Sequence, residues 1–318
     1  MMLPQALAAA VAGVLGLLVG SFLNVVIHRV PAMLHRGWLA ESLDNLQPVP
    51  PAYGRGLWQW VFGDKAELPK DLEASCASAL KKVEALAPLG IATPRSRCPH
   101  CGAAIRWYQN IPVLSYLALR GRCANCKAAI SPRYPIVELV TAGLFALCGH
   151  RFGLSLQAAF WAFFCAILVC QFLIDLDTQL LPDDLNYLLL WGGLAGAALK
   201  VTGVPLTSAV WGAIFGYLSL WLVYHGYRLA TGKHGMGHGD FKLLAALGAW
   251  LGATYLLPVI LLSAVVGAVL GATMLIVGRL ADRNIPIAFG PFLAGAGLVA
   301  FLLGPLRFQE AFSFAFPF

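Results

Sequence analysis

The apolar residues of this chain are gathered into long runs that are separated by short polar loops. Each run approaches or exceeds the roughly 20 residues that a helix needs to cross a bilayer core. A polar segment, residues 28–133, separates the first run from the others. The pattern predicts an all-α polytopic membrane protein with about eight transmembrane helices. The runs cover residues 5–27, 134–150, 156–175, 183–201, 206–230, 241–252, 255–278 and 286–304.

Two stretches, 241–278 and 71–86, have a length or a periodicity that predicts further detail. Taken as one helix at about 1.5 Å per residue, 241–278 would extend about 57 Å, close to two bilayer cores. We therefore predict that the chain folds back between Gly252 and Pro258. In the polar segment, apolar residues recur at helical spacing over 71–86, which predicts a short amphipathic helix.

The composition agrees with a membrane protein and argues against a soluble domain. Of the 318 residues, 59% are hydrophobic and 12% are charged, and the mean hydropathy is +0.74. A soluble domain usually carries about 25% charged residues. The leading apolar run has no basic residues before it and is long enough to span, so we predict a retained first helix rather than a cleaved signal peptide.

The basic residues give an orientation. Fourteen of the 22 Lys and Arg lie in the segment 28–133, against seven acids. Because cytoplasmic loops are enriched in Lys and Arg, we expect this segment in the cytoplasm and the N-terminus outside. Alternation of the spans then puts further loops inside, at 176–182, 229–239 and 279–285. The predicted organisation is a first transmembrane helix (1–27), a cytoplasmic domain (28–133) and a transmembrane domain (134–318).

Four cysteines of the polar segment have the spacing of a metal site. "CPHC" (98–101) and "CANC" (123–126) form two C-x2-C knuckles separated by 21 residues. Two such knuckles supply four thiolates, the ligand set of a structural zinc ion. We predict a small zinc-ribbon-like domain in which His100 is not a ligand. The alternative is redox-active pairs or free thiols, and a cytosolic compartment disfavours stable disulfides. The predicted zinc ligands are Cys98, Cys101, Cys123 and Cys126.

Two aspartates lie at the ends of apolar runs, where a carboxylate is costly unless it has a function. Asp175 ends the run 156–175, and Asp240 follows the glycines of "GMGHGD". The orientation above puts both at the cytoplasmic face. A close pair of carboxylates, one protonated and one ionised, can activate water for amide hydrolysis. Gly237 and Gly239 would then leave room for the close approach of an extended substrate backbone. The alternatives are an ordinary helix N-cap for Asp240 and a proton relay that uses both acids. Asp183 and Asp184 are interpreted as capping acids of the next helix.

Five motifs occur in order along the chain: "GSFLNVVIHR" (20–29), "CPHC…CANC", "RYPIVEL" (133–139), "IDLDTQLLPDDL" (174–185) and "GMGHGDFKLL" (235–244). Together they resemble the type IV prepilin peptidases, and the resemblance covers nearly the whole chain. It implies an inner-membrane aspartic protease of the G-x-G-D class. Such enzymes remove the basic leader of type IV prepilins and of type II secretion pseudopilins, cutting after a glycine at the cytoplasmic side. The resemblance implies that the catalytic aspartates correspond to Asp175 and Asp240, and the metal-linked cysteines to the four named above.

The same resemblance implies a second activity, N-methylation of the new N-terminal residue with S-adenosylmethionine. The residues themselves do not indicate it, because no glycine-rich adenosine-binding fingerprint is present. A second functional class stays open at this stage, a membrane carrier or proton-coupled transporter with an accessory zinc module. Nucleic acid is not expected as a partner, because the aromatic residues are not interleaved with the basic ones. Membrane lipid is expected as a partner.

Overall fold

The structure is a computed structural model, and it describes residues 4–48, 55–233, 235–277, 288–304 and 308. Two compact units make up the chain. One comprises residues 1–27 together with 98–318, and the other comprises residues 28–97. Every named element in the described ranges is a helix, so the all-α prediction is confirmed.

Eight of the helices coincide with the predicted apolar runs. Five of them are long and apolar enough to cross a membrane by length and composition, and Gly290–Leu303 is a shorter apolar helix. The number of spans therefore stays a prediction, since two others have only 16 and 14 residues. These helices are α1 (Gln5–Asn45), α5 (Arg133–Phe152), α6 (Leu156–Thr178), α7 (Asp183–Ala198), α8 (Leu206–Thr231), α9 (His238–Leu251), α10 (Leu256–Ile276) and α11 (Gly290–Leu303). A short helix, α4 (Leu114–Ala118), precedes α5. The predicted inside loop 279–285 lies outside the described residues.

Helix α1 is longer than predicted. The sequence indicated a helix that ends near residue 27, whereas α1 continues to Asn45 and contains Pro31. The apolar run marks how much of a helix a membrane can cover. It does not mark where the backbone hydrogen bonding stops, and residues 28–45 include charged and polar side chains but remain helical.

The unit of residues 28–97 is held partly by arginine–carbonyl contacts. Its helices are the end of α1, α2 (Leu57–Phe62) and α3 (Lys70–Glu84). Arg36 donates to the carbonyl oxygens of Val83, Leu86 and Ala87, at 2.6–3.1 Å. Such bonds satisfy the orphan carbonyls that follow the end of a helix. Helix α3 confirms the amphipathic helix that was predicted over 71–86.

Helices α8 and α9 approach each other at a pair of glycines. A Cβ atom on Gly212 or on Gly248 would overlap the carbonyl group of the other residue. Small residues let membrane helices pack backbone against backbone, where dispersion contacts replace the missing hydrophobic drive. This contact fixes the position of α9 relative to α8 along the axis of α8.

From Leu243 onward helix α9 is apolar on all sides, as expected of a helix that neighbouring helices surround. Eight residues of its 241–251 stretch are at most 5% exposed, and Gly248 and Leu251 are also buried. The indole N–H of Trp250 donates to the carbonyl oxygen of Leu189 in α7 at 2.7 Å. The Trp250 ring also contacts Trp161 and Phe164 of α6. Helix α9 is thereby locked between α6, α7 and α8, and its first turn is held with it.

The predicted break between the two apolar halves of 241–278 is present. Helix α9 ends at Leu251, and Gly252 has a φ of +89°, a conformation that glycine adopts easily. A short 3₁₀ turn, Ala253–Tyr255, precedes α10. Helix α9 is therefore short, with 14 residues. Its N-terminal turn lies against Leu181, which precedes the start of α7.

Candidate functional site

Asp175 and Asp240 come from two different helices and meet at one end of the helical unit. Asp175 lies in the last turn of α6, and Asp240 is the third residue of α9. Their exposed fractions are 4% and 6%, and the two carboxyl groups are close enough to repel each other electrostatically. The structure thus brings the two sequence-predicted acids together in one buried place.

Asp240 also occupies a helix N-terminus, as one of the alternatives expected. The N-cap of α9 is Gly237, so Asp240 is at the N3 position and not at the cap itself. The backbone N–H of Gly237 faces the Asp240 carboxyl group. An N-cap would leave the carboxylate at the surface, whereas Asp240 is buried beside a second acid.

The glycine before Asp240 serves internal packing. A Cβ atom on Gly239 would lie 2.8 Å from the Cβ of Leu181, which precedes α7. Leu181 is itself buried and also approaches the site from the other side. Sequence reasoning assigned Gly237 and Gly239 to close approach of a substrate backbone, and for Gly239 the close neighbour is a leucine of the same chain.

Gly290 closes the site on the Asp175 side. Its backbone N–H faces the Asp175 carboxyl group, at the start of α11. A Cβ atom there would lie 2.5 Å from Oδ2 of Asp175 and 3.0 Å from Cδ1 of Leu181. Real Cβ atoms do not approach that closely, so this position accepts only glycine without a shift of the acid.

We expect Gly290→Ala to lower activity at the site by about 10- to 100-fold, because it displaces Asp175 by a fraction of an ångström or more. The matched control is Gly295→Ala on the same helix, where the nearest atom to a new Cβ is Phe172 Cε2 at 3.8 Å. The turnover rates of the two purified variants measure the difference. Equal activity of the two variants would show that the carboxyl group has room to move.

The other acids near the site are occupied elsewhere. Asp177 forms an ion pair with Arg133 of α5 at 2.7 Å. It is two residues from Asp175, a spacing that puts the side chains on different faces of α6. Asp183 pairs with Lys242 at 2.7 Å. Asp183 and Asp184 lie in the first turn of α7, after the N-cap Pro182, where the helix dipole favours acids.

The four predicted cysteines form a second constellation. The Sγ atoms of Cys98, Cys101, Cys123 and Cys126 all lie within 4.8 Å of one another. The Sγ atoms of Cys98 and Cys126 are 3.8 Å apart, too far for a disulfide and close enough to share one ion. His100 is exposed and does not belong to this group. The remaining cysteines (Cys76, Cys148, Cys165 and Cys170) are free and buried apart from it.

The backbone around the four sulfurs has the form of two matching knuckles. In the first, Cys98 N–H donates to Ala103, and in the second Cys123 N–H donates to Ala128. The residue after each knuckle has positive φ, +69° at Gly102 and +59° at Lys127. Hydrogen bonds from the Ala103 N–H, and then from the Asn125 amide, lower the pKa of Cys101 to about 6. Donors that face thiolates orient and tune metal ligands, so these residues fit a metal ion.

Comparison with known proteins assigns the chain. A family model described as "Bacterial Peptidase A24 N-terminal domain" matches residues 14–152, and one described as "Type IV leader peptidase family" matches residues 162–272. The chain belongs to the type IV leader peptidase family. The second match contains both Asp175 and Asp240, and the first contains the four cysteines.

Several relatives in this leader peptidase family carry the name "Prepilin leader peptidase/N-methyltransferase". One from Stutzerimonas stutzeri is 47% identical and covers 92% of this chain and 89% of its own length. One from Pseudomonas aeruginosa is 46% identical, with 91% and 88% covered. One from Burkholderia pseudomallei is 44% identical, with 95% and 87% covered. No solved structure matches the chain.

Two polar features of this leader peptidase chain were missed from the sequence. Glu138 of α5 is 7% exposed, and its Oε2 accepts a hydrogen bond of 2.8 Å from Val113 N–H. Val113 has a φ of +57°, uncommon for a β-branched residue, so Glu138 holds an unusual turn. Gln171 and Asn186 form the other feature, a buried amide pair between α6 and α7. An isolated polar residue inside an apolar run was the available signal in each case.

Proposed function

We propose that this chain removes the leader peptide of type IV prepilins by a two-aspartate mechanism and then methylates the new N-terminus. The peptidase part is supported by one observation above all, the burial of Asp175 and Asp240 side by side on separate helices. The family membership and the names of the relatives support the substrate and both activities. The carrier alternative is not favoured, because the matching family is one of peptidases.

In the proposed reaction, the two carboxyl groups share one proton. The ionised member takes a proton from water while the water oxygen attacks the carbonyl carbon of the scissile amide. The protonated member gives its proton to the carbonyl oxygen. The tetrahedral intermediate then collapses, the nitrogen leaves with the proton taken from water, and the second proton returns to its carboxyl group. One water is consumed, and one carboxylic acid and one amine are formed.

We further propose how the substrate reaches the acids. The chain would sit in the bacterial inner membrane, with a first transmembrane helix (1–27), a cytoplasmic domain (28–133) and a transmembrane peptidase domain (134–318). The apolar segment of a prepilin would lie among the helices, while its basic leader stays in the cytoplasm. Cleavage after a glycine suits this arrangement, since glycine lets the peptide extend easily beside the acids. Type II secretion pseudopilins, which share this design, are proposed as further substrates, and membrane lipid as the surrounding partner.

A zinc ion is proposed for the four-cysteine cluster. Cys98, Cys101, Cys123 and Cys126 would hold it. With four thiolate ligands the ion would have no position for water, so it would supply folding free energy and no hydrolytic chemistry.

The methyl donor is proposed to be S-adenosylmethionine, which supplies an electrophilic methyl group to the new amine. The names of the relatives support the choice of this methyl donor. No described side chain is proposed to bind it. We place methyl transfer at the 28–133 segment near the membrane, apart from the two aspartates.

A separation of the two activities tests this placement. We expect Asp240→Asn to methylate a substrate that has already been cut at close to the wild-type rate, while it fails to cut the intact one. The reason is that neutralising one acid removes the base for water but leaves a distant site untouched. Mass spectrometry of a synthetic mature N-terminus, incubated with labelled methyl donor, measures the transfer. Loss of methylation in a folded Asp240→Asn sample would argue for one shared site.

The proposed function as a whole is tested by one incubation. Purified wild-type protein is mixed in detergent with a prepilin and labelled S-adenosylmethionine, and the product masses are read. Loss of the leader mass followed by gain of one methyl group is the expected result. An unchanged prepilin mass under conditions where the protein is folded would overturn the peptidase assignment.

A further inference from the structure

A fully buried pair of amide side chains lies one turn away from Asp175. Gln171 of α6 and Asn186 of α7 are 0% and 1% exposed, and Gln171 Nε2 donates to Asn186 Oδ1 at 2.8 Å. One polar atom of each amide stays without a partner among the described residues, namely Gln171 Oε1 and Asn186 Nδ2. Among the described residues, Asp175 Oδ2 is the other buried side-chain oxygen that accepts no hydrogen bond of ordinary geometry, although the Gly290 N–H faces its carboxyl group.

The two unpartnered oxygens lie on one face of one helix. Gln171 and Asp175 are four residues apart in α6, so their side chains are neighbours. Side chains on a helix lean toward its N-terminus, which directs the Asp175 carboxyl group over the turn that carries Gln171. A buried acceptor without a donor is costly. A carboxyl group that carries a proton becomes a donor, and one O–H then satisfies both oxygens at once.

The helix dipoles also favour the proton on Asp175 rather than on Asp240. Asp175 lies in the last turn of α6, where the negative end of the helix dipole disfavours a carboxylate. Asp240 lies in the first turn of α9, where the positive end favours one. The exposed fractions of the two acids are similar, the repulsion between them is mutual, and each carboxyl group faces one backbone N–H, from Gly290 and from Gly237 respectively. Asp240 lies deeper in the protein than Asp175, and this desolvation acts against the helix dipoles.

We propose that Gln171, held in place by Asn186, is a positioning residue that keeps the shared proton of the pair on Asp175, so that Asp240 is the base. This inference rests on the proposed peptidase function and deepens it. Asp240 takes the proton from water, and Asp175 donates its own to the carbonyl oxygen of the substrate. Asp240 then passes the proton from water to the leaving nitrogen, and Asp175 recovers its proton from the intermediate.

Among the described residues, the charged groups on the surrounding helices have other partners or are exposed, so they do not oppose this assignment. Helices α5, α7 and α11 pack against α6. α11 contains no titratable residue. Arg133 of α5 is bound to Asp177, and Asp183 of α7 is bound to Lys242 of α9. Asp184 and Tyr187 of α7 are exposed, and Glu138 of α5 binds Val113. His238 of α9 packs against the rings of Tyr224 and Phe241.

The pH dependence of prepilin cleavage by Gln171→Met tests the proposal. Methionine keeps the approximate volume and removes the acceptor that stabilises the protonated pair. The pair should then lose its proton at lower pH, so we expect the alkaline limb of the kcat/KM profile to move down by about 0.5 to 1 pH unit, the value of one ordinary hydrogen bond. At the pH midpoint of the wild-type limb, kcat/KM should fall about 2- to 5-fold.

Two further variants complete the experiment. Gln157→Met makes the same change near the other end of α6, about 21 Å away along the helix, and should leave the limb unmoved. Gln171→Asn keeps an amide that is too short to contact both partners. It should move the limb in the same direction by a smaller amount, and it replaces the methionine variant where that one does not fold. Thermal unfolding of each sample checks the fold.

Each outcome decides between the alternatives. A limb that moves down only in the position-171 variants supports the assignment. A uniform loss of kcat/KM with an unmoved limb would reduce Gln171 to an interhelical contact, and an upward movement would put the proton on Asp240. Failure of the wild-type protein to cut prepilin at any pH would instead overturn the proposed function itself.

Discussion

Asp175→Asn and Asp240→Asn should each lower prepilin cleavage by at least about 10³-fold, the scale of losing a group that reacts directly with water or substrate. Asparagine keeps the shape of the side chain but can neither take nor give the required proton. Both positions are buried, 4% and 6% exposed, so no solvent carboxylate can replace the missing one. Cleavage is measured as the rate of leader release from a purified prepilin in detergent.

The fold should survive these substitutions. Two buried acids that repel each other are replaced by one acid and a neutral amide, which removes an unfavourable interaction. We therefore expect unchanged or slightly raised melting temperatures. The control is Asp184→Asn, an exposed acid in the first turn of α7, which should keep wild-type activity. Full cleavage by either Asp175→Asn or Asp240→Asn would remove that residue from the mechanism.

Loss of the metal centre is the second large effect that we expect. Cys98→Ser replaces the one buried thiolate of the cluster with a weak ligand, and the bound metal should drop from about one equivalent to nearly none. The segment of the two knuckles holds few buried side chains of its own, so metal binding must supply much of its folding free energy. Elemental analysis and limited proteolysis between residues 98 and 130 measure the two consequences.

The matched control for this experiment lies within the first knuckle. His100→Ala changes an exposed side chain between two ligands and should retain the full metal content. Equal metal content in Cys98→Ser and in the wild type, or the absence of zinc from a purified wild-type sample, would contradict the proposed centre. A chelator should reproduce the Cys98→Ser result in the wild type.

Much of the architecture could be read from the order of the residues. The apolar runs located the helices because burial in lipid demands long uninterrupted apolar stretches with internal hydrogen bonds. The break after Leu251 followed from length alone, since a helix of that run would be too long for one bilayer. The C-x2-C pairs indicated a shared ion, because a two-residue spacer brings both sulfurs to one side of a turn.

Some features could not be read in this way. The end of α1 was misplaced, since hydropathy reports membrane contact whereas backbone hydrogen bonding decides where a helix stops. The role of Gly239 changed from substrate approach to contact with Leu181, a residue 58 positions away. Gly290 was not singled out, although a glycine–proline pair at a helix start is a recognisable signal. Its significance lies in the neighbouring Asp175 oxygen, which belongs to another helix.

The sequence by itself determined which segments are helical and which residue types are present at their ends, because these depend on interactions within a few turns of chain. The tertiary structure decided which ends meet. Packing of α9 against α6 and α7 put Asp240 beside Asp175, turned Asp177 and Asp183 toward basic partners, and left the oxygens of Gln171 and Asp175 without donors. Contacts between distant segments follow from side-chain shape and the space between helices, and no local pattern encodes them.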